Sequence, residues 1–286
     1  MRISRRSLLG GVLAAPVAGS AWPTLVEPRF LEIRHRTLTL PHMPAAHGPL
    51  RIVFLTDLHV GCPHVTLDRT AALVEQANAL SPDVILLGGD YVVQGVVGGR
   101  FVAPEDTARV LGGLRAPRGV YTVLGNHDWW LDGWRVRKAF EAAGIPVLEN
   151  EAIPLPEGPK MWLAGLADEQ TRTPDAVATL ARVPEDAPVV VLAHNPATFA
   201  TVPDRALVTL CGHTHGGQVS LPFYGPLVNA TKSPLRWTYG HIVEGGRNMI
   251  ISAGIGTSVL PIRFNMPPEI TVVDLQSAAA AEALAA

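Results

Sequence analysis

Cysteine is scarce. The chain has 286 residues and two of them, Cys62 and Cys211, are thiols. Two thiols make no disulfide framework, so a hydrophobic core must hold the fold. Both are read as small buried residues, unpaired. Charge is also scarce, at 17% of residues, with 23 Lys and Arg against 25 Asp and Glu. The formal net charge is −2. No basic block lies beyond the N-terminus, so nucleic acid is not an expected partner, because backbone binding needs clustered cations. What is abundant is apolar: 48% of residues are hydrophobic. That describes a globular domain with a sizeable core, not a disordered chain. The 27 glycines and 25 prolines imply many tight turns.

The first residues stand apart. Ser4-Arg5-Arg6-Ser7-Leu8-Leu9 resembles a twin-arginine export signal. An apolar stretch follows to about Ala18, and Ala18-Gly19-Ser20-Ala21 offers a cleavage site. The stretch is shorter than the roughly 20 residues of a spanning helix, though an uncleaved anchor is the alternative. Residues 1–21 are therefore expected to be an export signal or anchor, residues 22–275 the folded domain, and residues 276–286 an Ala-rich tail. The implied partner is the twin-arginine export machinery. The implied destination is the periplasm or the outer face of the inner membrane, with membrane-surface association.

Short apolar runs alternate with helical spacing, the pattern of βαβ units. Strands are expected at Phe30–Leu40 (an edge strand), Arg51–Thr56, Asp83–Leu87, Gly119–Leu124, Met161–Leu166, Pro188–Ala193, Ala206–Leu210, Asn248–Ser252 and Glu269–Leu275. Helices are expected at Thr66–Leu80, Pro104–Leu114, Asp132–Ala143 and Thr173–Arg182. Asp132 serves as N-cap and Gly144 as stop for the third of these. Residues 218–247 read as loop-rich, with no strand expected there.

Five of these strands run into polar residues that suit a metal: Asp57 and His59, Asp90, Asn126, His194, and His213 and His215. Strand exits are where open α/β sheets place ligand sites. In an extended chain, residues two apart share a face, so His213 and His215 are expected to reach the same side. Seven donors are too many for one ion. Two ions sharing Asp90 would use them all. Carboxylate, amide oxygen and imidazole suit Mn²⁺, Fe or Zn²⁺ without thiolate, and manganese is favoured.

Asp57-x-His59, Gly89-Asp90, Gly125-Asn126-His127-Asp128, His194 and Gly212-His213-x-His215 resemble, in order, the signature of the calcineurin-like metallophosphoesterase superfamily. That resemblance implies a metallo-dependent phosphatase-like fold, α/β, a four-layer sandwich of two mixed β-sheets flanked by helices. It assigns Asp57, His59, Asp90 and His215 to one ion and Asp90, Asn126, His194 and His213 to the other. It makes His127 a catalytic electrophile or acid, and Asp128 the carboxylate that orients it.

Gly216-Gly217-Gln218, Gly254 to Phe264 and the leader resemble the exported bacterial phosphodiesterase branch. The function so implied is hydrolysis of a phosphodiester by a metal-activated hydroxide. Alternatives are a pyrophosphohydrolase on UDP-diacylglucosamine-type lipid nucleotides, which needs a greasy groove near Trp129, Trp130, Phe223 and Trp237, and a phosphomonoesterase. The substrate is a small phosphoester or a lipid-linked phosphate. Arg263 and Gln218 are candidate phosphate contacts. Asp168 and Glu169 read as solvated loop, and His35, His42, His47, His64 and His241 as surface or loop histidines.

Overall fold

The structure is a computed structural model that describes residues 21–41, 43–44 and 48–279. Residues 1–20, where an export signal or anchor is expected, His42, His47 and residues 280–286 lie outside the described residues.

Along the chain come β1 (Glu32–Leu40), β2 (Leu50–Leu55), α1 (Leu67–Ala79), β3 (Val84–Leu87), α2 (Pro104–Leu111), β4 (Val120–Thr122) and α3 (Asn126–Ala142). Then follow β5 (Glu151–Pro154), β6 (Trp162–Gly165), α4 (Ala176–Leu180), β7 (Val189–Leu192), β8 (Ala206–Cys211), β9 (Ser220–Leu221), β10 (Gly225–Pro226), β11 (Gly240–Glu244), β12 (Arg247–Ile251) and β13 (Glu269–Ser277). A five-stranded sheet has the order β1-β13-β2-β3-β4 and a six-stranded sheet the order β11-β12-β8-β7-β6-β5. Both are mixed. In the first, β2, β3 and β4 are parallel while β13 runs against β2. In the second, β6, β7, β8 and β12 are parallel, with β5 and β11 antiparallel at the two edges.

The period-2 alternation of side chains sorts each strand into two cores. Ile52, Phe54, Val84 and Leu86 of the first sheet face Val190, Leu192, Val208 and Leu210 of the second, forming one apolar layer between the sheets. Val53, Leu55, Ile85 and Leu87 point outward under α1, α2 and α3, with Leu73, Leu111 and Phe140. Val189, Val191 and Cys211 point to the opposite outer face, beneath α4, Phe199 and Trp237. Helices, sheet, sheet and helix with loops make the expected four layers. Strands buried on both faces read as unbroken apolar runs, which explains their legibility.

The expected elements are present, with four corrections. First, α3 begins at Asn126, not at Asp132. Asp132 sits in it as a break (φ −175°), and its Oδ1 accepts from the Arg135 amide at 3.1 Å, so it does cap the second half. Second, residues 218–247 are not all loop. β9 pairs with β10, and β11 pairs with β12 across Gly245-Gly246, both left-handed (φ 59° and 78°). That is a two-residue hairpin turn whose Gly-Gly signal precedes an apolar run. Third, β13 extends to Ser277, into the tail. Fourth, the helix after Thr173 is only Ala176–Leu180, capped by Asp175, whose Oδ1 accepts from the Ala178 amide.

Cys62 and Cys211 are free and buried, on opposite outer layers. Among the described residues, no helix is long and apolar enough to cross a membrane.

Candidate metal centre

Strands β2, β3 and β4 are parallel, as are β7 and β8, so the loops leaving them can converge. The structure brings all seven expected donors together there. Asp57, His59, His194, His213 and His215 are buried, as are Asp90 and Asn126. Two triads of donor atoms lie within 4.8 Å of one another: Asp57, His59 and His215, and Asp90, His194 and His213. Asp90 also groups with His59 and His127.

Asp90 stands between the two triads. Its Oδ1 accepts from the His127 amide at 2.9 Å. Its Oδ2 is 3.6 Å from His59 Nε2 and 3.3 Å from His194 Nε2. His59 Nε2 faces His215 Nε2 at 3.1 Å. His194 Nε2 faces Asn126 Oδ1 at 3.1 Å and His213 Nδ1 at 3.2 Å.

The far nitrogens fix the rings. His59 Nδ1 lies 3.0 Å from the Val92 carbonyl, His194 Nδ1 2.7 Å from the Gly88 carbonyl, and His213 Nε2 3.3 Å from the Ala230 carbonyl. A carbonyl accepts only, so Nδ1 of His59 and of His194 carries a proton and turns Nε2 inward, the arrangement metal-ligating histidines adopt.

The electrostatics fit a cation. Burial lowers His59 to about 4 and His213 to about 3, favouring neutral rings. For His194, burial works against charge, but Asp90 and Asp57 outweigh it and raise the ring well above its ordinary value. A proton there occupies the place a metal would take. Among the described residues, the ion pairs of Asp57 and Asp90 are with histidines only. Two buried carboxylates ringed by imidazole nitrogens are compensated most simply by divalent ions.

The backbone is built for this purpose. Asp57, His59, Asp90, His213 and His215 all have positive φ, from 42° to 70°. Left-handed backbone is costly for non-glycine residues and clusters at functional sites. It also corrects the spacing argument: the chain is not extended at His213 and His215, and the two rings go to different triads. Close approach needs glycine at two points. A Cβ on Gly125 would stand 2.2 Å from Asp90 Oδ1, and one on Gly212 would stand 2.3 Å from Asp57 Oδ2.

Asp128 does not orient His127. Its Oδ2 accepts from the amides of Asp90 and Gly125 at 2.9 Å, and its Oδ1 from those of Tyr91 and Val92 at 2.9 and 3.3 Å. Four N–H groups saturate the carboxylate, which therefore holds the Asp90 loop. His127 is half-buried, packs edge-on against His59 at 4.8 Å and Trp130 at 4.9 Å, and leaves Nδ1 without a hydrogen-bond partner.

Arg263 and Gln218 are not phosphate contacts. Arg263 is wholly buried and donates to the carbonyls of Ala253, Gly254, Gly256 and Met266. It fixes the loop whose Ile255 and Gly256 amides bond to Thr56 and Asp57. Gln218 Nε2 donates to the Leu260 carbonyl at 3.1 Å, and its Oε1 accepts from the Ser258 amide.

Asp168 is buried, not solvated, and accepts from Thr171 while its Oδ1 is unpaired. His64 is also buried, against the Pro261 carbonyl at 3.1 Å. Sequence reasoning missed Gln170, whose amide nitrogen is 3.0 Å from His213 Nε2. A lone loop glutamine gives no signal.

A four-layer α/β sandwich with this donor set at its strand exits defines a metal-dependent hydrolase. Residues 50–223 match the family described as calcineurin-like phosphoesterase, and the chain belongs to that family. It is similar over 96% of its length to an uncharacterized metallophosphoesterase, YkuE, of Bacillus subtilis (30% identical, 99% of that protein covered). It is likewise similar over 96% of its length to the phosphodiesterase YaeI of Escherichia coli (32% identical, 99% covered). A UDP-2,3-diacylglucosamine pyrophosphatase, LpxG, of Chlamydia trachomatis is 26% identical over 92% of this chain and 94% of its own.

Proposed function

We propose that this phosphoester hydrolase acts on phosphodiesters, using two divalent ions, manganese favoured, and that it works outside the cytoplasm after twin-arginine export. The observation that carries the two-ion reading is Asp90 Oδ2, placed between His59 of one triad and His194 of the other. Asp57, His59, Asp90 and His215 would hold one ion, and Asp90, Asn126, His194 and His213 the other. Divalent ions there supply Lewis acidity, lowering the pKa of water and neutralising phosphoryl oxygens.

The protein's own groups do the rest. The buried carboxylates and carbonyl-fixed rings hold the donors in place. His127 lies beside both triads in a cavity of about 470 Å³ that is also lined by Asn126, Trp130 and His213. Its ring can hydrogen-bond a phosphoryl oxygen or protonate the leaving oxygen. The name of the Escherichia coli relative supports the diester reading. A second reading, cleavage of the diphosphate of a lipid-linked nucleotide, draws support from the name of the Chlamydia relative.

The test uses protein lacking residues 1–21, stripped with chelator and reconstituted with Mn²⁺. Hydrolysis of bis-p-nitrophenyl phosphate should return with metal, exceed that of p-nitrophenyl phosphate, and vanish in Asp90→Asn. Preference for the monoester would overturn the diester reading.

A further inference from the structure

The metal-centre cavity does not end at the donors. It shares His215, Ala230, Ser258 and Val259 with an adjoining cavity of about 360 Å³. Val219, Leu227, Val228, Leu260 and Ile262 wall that extension. Of the four aromatics expected beside a greasy groove, Trp237 is buried against Phe199 and Trp129 packs on Trp134 and Arg172, while Trp130 lines the metal-centre cavity and Phe223 is exposed in the turn between β9 and β10.

Of the adjoining groove's polar side chains, Gln218 and Thr214 are already committed, while His215 Nδ1 carries no hydrogen bond. Gln218 is bonded at both ends to the 258–262 loop, and the Thr214 hydroxyl donates to the Thr238 carbonyl at 2.7 Å. A sugar or base placed there would give up hydration without recovering it from these groups. The rim is apolar as well. Val228, Val259 and Leu260, all of them wall residues, are well exposed. Contiguous exposed apolar surface of this kind marks a binding site. Because the donor His215 lines the groove as well as the metal-centre cavity, an occupant of the groove sits beside the group held at the donors and is joined to it. It is a substituent of the substrate and not a separate partner.

We propose that this groove is a subsite for a hydrocarbon chain, so that the phosphoester cleaved belongs to an amphiphile with an alkyl or acyl chain beside its phosphate. The inference rests on the phosphoesterase reading but does not depend on which phosphoester bond is cut.

The test is a homologous series of p-nitrophenyl alkyl phosphates, with methyl, butyl and octyl chains, kept below micelle-forming concentrations. The Mn²⁺-reconstituted protein is assayed with bis-p-nitrophenyl phosphate alongside. In the unaltered protein kcat/KM should rise about tenfold or more from methyl to octyl, as burial of several methylenes requires. In Val228→Asp and Leu260→Asp, each at an exposed rim position, the octyl-to-methyl ratio should fall toward one. A flat series in the unaltered protein, with the bis-p-nitrophenyl ester still turned over, overturns the subsite. So does a ratio undiminished in both variants. Loss of turnover on every ester, the bis-p-nitrophenyl ester included, instead strikes the phosphoesterase reading beneath it.

Discussion

His127 and Asp128 are neighbours with separate tasks. His127 lines the cavity, and its Nδ1 has no hydrogen-bond partner. Asp128 faces backward and ties four backbone amides. Their variants should therefore part. His127→Ala should keep its metal content, read by elemental analysis, and lose roughly 10²–10⁴ in kcat, the usual worth of a positioned acid or base. Asp128→Ala strands buried amides, so it should cost roughly 3–5 kcal/mol in urea unfolding of the metal-free protein. It should weaken metal binding too, because the Asp90 loop loses its tie. The seven donors were legible because each follows an apolar run, and a polar residue at a buried strand's end is conspicuous. The partner of Asp128 was not legible. A carboxylate beside a histidine suggests a pair, and only the three-dimensional path of the Asp90 loop shows that amides reach it first. Arg263 misled for a similar reason. An arginine near a phosphate site reads as an anion contact, yet here backbone carbonyls take every donor.

At the scale of elements, the site depends on α3 starting directly after Gly125. The sequence pattern put the helix six residues later, because Asn126-His127-Asp128 reads as loop and Asp132 as a cap. Only the second holds: the helix starts at Asn126, breaks at Asp132, and is capped again there. Gly125→Ala would push a Cβ onto the Asp90 carboxylate, and Gly212→Ala one onto Asp57. Each variant should keep its circular dichroism, since the three apolar layers are untouched. Each should also need at least about tenfold more Mn²⁺ for half-maximal activity, the scale of loss when support behind a ligand is disturbed. The sheets themselves were read well, as runs buried on both faces carry no competing signal. The β11–β12 hairpin was hidden among loop residues because β11 is an edge strand with alternate residues exposed.

At the scale of the molecule, the segment before β1 is fastened to the far end of the chain. The Pro23 carbonyl accepts from the Arg263 amide at 2.8 Å, Glu27 Oε1 from the Met266 amide at 2.6 Å, and the Pro28 carbonyl from Arg69 at 2.9 Å. Glu27→Ala leaves a buried amide unpaired, which should lower the melting temperature by roughly 3–8 °C in a domain of this size. Shortening the chain to residue 31 should cost more than removing residues 1–21, by the same measurement.

The donors also divide by sheet. Asp57, His59, Asp90 and Asn126 follow strands of the five-stranded sheet, while His194, His213 and His215 follow strands of the six-stranded one. Each donor set draws on both, so an ion bound in either is a rivet driven through the seam of the sandwich. Loading would then do more than equip the enzyme for chemistry. It would lock one sheet against sliding on the other, and amide exchange in β2 and β8 should slow together on adding Mn²⁺ and quicken together on chelation.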